Sequence, residues 1–138
     1  MYVKIVLADD NTSTRPLVEI MLNLFGCTVI HTPCDHTLCD VVRREKPALI
    51  VLDLVMFPEA ATSVIGQIRA CPDTCNLPVI VLSAWHRQEG LYHAAGCDEV
   101  VSKPFTRAQL LSAVDSALDH SSDTCHPGDF PLAITSPA

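Results

Sequence analysis

Asp9 and Asp10 follow the apolar run 3–8, Asp53 follows 48–52, Ser83 follows 79–82, and Lys103-Pro104 follows 100–102. A carboxylate attacks phosphorus to form an acyl phosphate. Asp53, which closes a wholly apolar run, is the candidate nucleophile. Three carboxylates at one site repel unless a cation joins them. A hard divalent ion such as Mg²⁺ or Mn²⁺ suits oxygen ligands and keeps waters for phosphate oxygens. Asp9, Asp10 and Asp53 are its candidate ligands, with the backbone carbonyl of Val55. Lys103 offers a point charge, and Ser83 a hydrogen bond, to a phosphoryl oxygen. Ala84 leaves room beside them.

These residues meet only if the runs are parallel strands whose ends share one edge. The spacing supports that. Strands are predicted at 2–8, 27–32, 48–53, 79–83 and 98–102. Between and after them lie five helical stretches. The first starts near Ser13 or Thr14, carries Pro16 in its first turn and reaches Phe25, with Leu17, Ile20, Met21 and Leu24 as its buried stripe. Gly26 ends it. The second is capped by Asp35 or Thr37 and stops before Pro47. The third spans 61–71 with Val64, Ile65 and Ile68 inward. The fourth spans 87–95 and closes at Gly96. The fifth is capped by Thr106 and reaches about residue 119, with Leu110, Leu111, Val114 and Leu118 inward. Five strand–helix alternations predict an α/β fold, a doubly wound five-stranded parallel sheet with helices on both faces.

A length of 138 residues suits one domain, here 1–119, while Ser, Thr, Pro, Gly and Asp dominate 120–138 and suggest a flexible C-terminal tail. A net charge of −7 argues against a basic nucleic-acid surface. The apolar start is too short for a signal peptide or a membrane span. Seven cysteines, an odd number, then fit free thiols in a reducing cytoplasm. Cys34, His36 and Cys39, and the pair Cys71 and Cys75, lack the repeated two-residue gap of zinc ribbons. The cysteines, Cys27 and Cys97 among them, read as packing residues, and His31, His86 and His93 as surface residues.

With Asp9-Asp10, Asp53, Ser83-Ala84 and Lys103-Pro104 in order at successive strand ends, the chain resembles the receiver domain of two-component response regulators over residues 2 to about 119. The resemblance implies a flavodoxin-like fold. It also implies phosphoryl transfer to Asp53 from a histidine kinase or phosphotransfer protein, with metal held by the acidic pair and Asp53. A cis Lys103–Pro104 bond is implied too, and a Ser83 hydroxyl that moves toward the phosphoryl group. Output would pass through a partner, a phosphorelay or a homodimer, using the face of helix four, strand five and helix five near Val100, Leu110 and Leu111. No output domain follows helix five, so a stand-alone phosphoprotein is expected.

Some positions depart from the family pattern. Val100 stands where most receivers carry Tyr or Phe, and Trp85 is a candidate to replace part of that aromatic. Met56-Phe57-Pro58 shifts the usual Met-Pro by one place, and Ala61 takes the place of a Gly. These departures keep open a pseudo-receiver that signals without phosphorylation. A phosphatase would carry a second Asp where Val55 stands. Bulky Val55 and Trp85 flank the path of hydrolytic water in this family, so slow self-dephosphorylation is expected.

Overall fold

The computed structural model of the chain describes residues 3–9, 15–33, 37–54, 58–84 and 89–119. Strands and helices alternate in the order β1 (Val3–Asp9), α1 (Arg15–Leu24), β2 (Cys27–Thr32), α2 (Thr37–Glu45), β3 (Leu49–Leu54), α3 (Pro58–Ala70), β4 (Val79–Ser83), α4 (Glu89–Ala95), β5 (Glu99–Ser102) and α5 (Arg107–Asp119). Every strand pairing is parallel, and the sheet order is β2-β1-β3-β4-β5. This is the expected doubly wound sheet in its flavodoxin-like order, with the winding reversing between β1 and β3. No helix among the described residues is long and apolar enough to cross a membrane.

Side chains alternate along each strand, so the sheet builds two cores. On one face Val6, Ala8, Ile50, Leu52, Val79 and Val81 pack with residues of α2, α3 and α4. On the other, Ile5, Leu7, Leu49, Val51, Ile80 and Leu82 pack with α1 and α5. Leu49–Leu52 and Val79–Leu82 have no exposed surface. Burial on both faces is why these strands read as unbroken apolar runs.

The helix faces follow the expected phases except in α1 and at Leu111 of α5, which was expected inward but is partly accessible and belongs to neither core. Leu17, Ile20 and Leu24 are 55%, 55% and 67% exposed, while Val18 and Leu22 are buried and Met21 is partly so. The helix carries two apolar stripes side by side, and the sheet takes the one through Val18 and Leu22. Helix α3 begins at Pro58, three residues earlier than the periodicity indicated; proline is favoured at a first helical position. In α5 the Thr106 hydroxyl accepts from the Gln109 N–H (3.1 Å), and the Gln109 side chain accepts from the Thr106 N–H (2.8 Å). That reciprocal cap fixes where α5 starts. The segment 120–138 lies outside the described residues.

One buried cation ties the loops beneath the sheet. Arg69, 5% exposed, donates to the carbonyls of Gly96 (2.8 Å), Cys75 (2.9 Å) and Leu77 (2.5 Å) and to Asp98 Oδ2 (2.7 Å). Asp98 Oδ2 also accepts from the Val79 N–H at 2.8 Å, so the cluster sets the starts of β4 and β5. Gly96 has φ +120°, and a Cβ there would lie 2.7 Å from Arg69 Cγ. Arg69→Ala leaves three loop carbonyls without that donor and Asp98, 30% exposed, without its cation, so it is expected to cost about 1.5–3 kcal/mol, the scale of hydrogen bonds to charged groups. Urea unfolding followed by circular dichroism measures it; a loss below about 1 kcal/mol, the scale of an exposed ion pair, would contradict this role.

Candidate active site

The C-terminal edge of the sheet gathers the polar residues because each strand ends where its apolar run does. Asp9 is the last residue of β1 and the register partner of Asp53 on β3. Neighbouring strands lie about 4.8 Å apart, which puts the two carboxylates side by side. Both continue the alternation of the α1/α5 face, after Leu7 and Val51. Asp53 has no exposed surface and Asp9 is 7% exposed.

Lys103 follows β5, and its ammonium donates a hydrogen bond to Asp53 Oδ1 in an ion pair. A buried carboxylate requires such compensation. The Lys103 N–H donates to the Ser83 carbonyl at 2.8 Å, which extends the ladder and aims the side chain. The Lys103–Pro104 peptide is cis. Ala84 is exposed and lines, with Leu17, Val18, Lys103, Pro104 and Phe105, a cavity of about 440 Å³.

Ser83 ends β4, one register step beyond Asp53, and is 2% exposed. By alternation with Val79 and Val81 it belongs to the opposite face, that of α2, α3 and α4. There its Oγ lies 3.1 Å from the Tyr92 hydroxyl. Tyr92 is 1% exposed, at the centre of that core, and half-buried Val100 packs against the same cluster. Sequence reasoning missed Tyr92. The available signal was its i, i+3 spacing with Ala95, because a phenol on a buried stripe needs a polar partner.

Asp10, Val55 and Trp85 lie outside the described residues, as do Cys34, His36, Met56, Phe57 and His86. Among the described residues no three His, Cys, Asp or Glu side chains gather as a metal site. Asp9 and Asp53 nevertheless form a hard oxygen donor pair, and against one Lys103 ammonium they carry a net negative charge. These residues fit Mg²⁺ or Mn²⁺. Cys27 and Cys97 are buried, as their packing role required, and burial pushes the Cys97 thiol up to about 12. His93 is exposed, and half-buried His31 lies 2.8 Å from Glu19.

Comparison with known proteins agrees with this geometry. A family model described as the response regulator receiver domain matches residues 5–115. A probable transcriptional regulator, ycf29 of Cyanophora paradoxa, is 27% identical over 85% of this chain and 57% of its own length. An uncharacterised 14.6 kDa protein of Leptolyngbya boryana is 31% identical over 80% of this chain and 86% of its own. The chain spans about half the length of other curated relatives it matches, ycf29 among them. Among solved structures, the receiver domain of a Pseudomonas aeruginosa sensor histidine kinase, with magnesium coordinated in its active-site cleft, superposes with a TM-score of 0.71. It is 24% identical over 86% of this chain and 99% of its own. With the family model spanning most of its length and the sheet order in agreement, the chain belongs to the response regulator receiver domains of two-component systems.

Proposed function

We propose that this receiver accepts a phosphoryl group on Asp53 and signals through a partner protein or a phosphorelay. The observation that carries the reading is the buried Asp53 carboxylate, gripped by Lys103 beside Asp9 at the open end of the sheet. An Asp53 oxygen attacks phosphorus, the bond from phosphorus to the donor breaks, and an acyl phosphate remains. The donor is a phosphohistidine of a histidine kinase or phosphotransfer protein. Lys103 then neutralises charge on the phosphoryl oxygens, and Ser83 donates a hydrogen bond to one of them. Asp9, Asp53, Asp10 and the Val55 carbonyl are the residues that would hold Mg²⁺, which supplies positive charge to the carboxylates and the phosphoryl oxygens.

A stand-alone receiver bounded near residue 119 is the form we favour. The similarly small relative from Leptolyngbya boryana supports it. A cytoplasmic site suits the free thiols of Cys27, Cys39, Cys71, Cys75 and Cys97. Direct nucleic-acid binding is disfavoured by the net charge of −7. The output face, for an effector or a second copy, is that of α4, β5 and α5. A groove of about 640 Å³ runs there between β5 and α5, lined by Val100, Val101, Gln109 and Ser112. Leu110, expected on this face, instead has no exposed surface, since it fills the α1/α5 core. Val100 and Leu111 stay partly accessible. Val100 also favours a second reading, a pseudo-receiver that binds partners without phosphorylation, because it lacks the aromatic that couples to Ser83 in most receivers.

Incubation with acetyl phosphate and Mg²⁺, followed by intact mass, separates the two. The expected result is a gain of one phosphoryl group in the native chain, absent in Asp53→Asn and absent without metal. No gain, where another receiver is labelled, would favour the pseudo-receiver.

A further inference from the structure

The Ser83–Tyr92 hydrogen bond joins two hydroxyls that are both buried, at 2% and 1% exposure. Either hydroxyl can donate in this bond, and in both cases the bond holds Ser83 Oγ on the α4 side of the sheet. To donate to a phosphoryl oxygen on Asp53, Ser83 must turn its Oγ from that side toward the strand end. That turn takes from the Tyr92 phenol the partner it has among the described residues. Water cannot replace that partner at 1% exposure, and an unmatched buried hydroxyl is costly. A shift of Tyr92, and of α4 with it, would relieve that cost.

We propose that Tyr92 is a positioning residue for Ser83, holding its hydroxyl on the α4 side so that phosphorylation of Asp53 and seating of α4 compete for one hydrogen bond. The inference rests on Asp53 as phosphoacceptor. It places the aromatic partner of Ser83 on α4, with aliphatic Val100 packed against the same core cluster. Coupling is reciprocal, so a partner that displaces α4 releases Ser83 and favours the phosphorylated state.

Tyr92→Phe removes the hydroxyl and keeps the ring. Its effect on the initial rate of labelling by acetyl phosphate is measured in the native and Ser83→Ala backgrounds, with circular dichroism to confirm folding. The expected result is an acceleration of roughly two- to tenfold, the worth of one hydrogen bond, with Ser83 present. In Ser83→Ala the same change should have no effect. An equal effect in both backgrounds, or none with Ser83, would overturn the proposal while leaving the phosphoacceptor reading intact. Absence of label in the native chain would overturn both.

Discussion

A carboxylate with no exposed surface is the constraint around which this molecule is arranged. Asp53 carries its charge at the end of a strand buried on both faces, and an isolated charge there would be prohibitively costly. Its compensation comes from Lys103, fifty positions later, so the ion pair exists only once β3, β4 and β5 have paired in register. Folding and site formation are therefore one event. The Lys103 N–H bond to the Ser83 carbonyl adds a second link between the same strands.

The opposite edge of the sheet is held by a different charge pair. Arg69 collects three loop carbonyls and Asp98, which in turn accepts from the first amide of β4. Fixing the starts of β4 and β5 also fixes where they end, because β4 and β5 share one register. The Arg69 cluster thus positions Ser83 and Lys103 at a distance, by setting the strand phase. Between the two edges α4 is a short helix, and Tyr92 is its main inward anchor.

Much of this was legible in the sequence, for a physical reason. Parallel central strands have no solvent-facing side, so each reads as an apolar run closed by the polar residue that faces the crevice. Asp9, Asp53 and Ser83 announce themselves in that way, whereas Lys103 follows the edge strand β5 and was legible only through its Lys-Pro step in series with the others. Helix α1 was harder, since Leu17, Val18, Ile20, Met21, Leu22 and Leu24 offer two apolar stripes and only the sheet chooses between them. Tyr92 was hidden because α4 has seven residues, too few turns to establish a period. Arg69 was hidden because its partners lie in distant loops, although its place four residues after Ile65 on an apolar stripe is the trace of a buried cation.

The claim on which the account rests is that Asp53 is the phosphorylated atom's bearer. The most direct measurement is borohydride reduction of the protein after treatment with acetyl phosphate and Mg²⁺, which converts an aspartyl phosphate to homoserine, followed by peptide sequencing. The account predicts homoserine at position 53 and nowhere else, dependent on metal. Homoserine at Asp9, Asp10 or another acidic residue, or equal yield without metal, would contradict it.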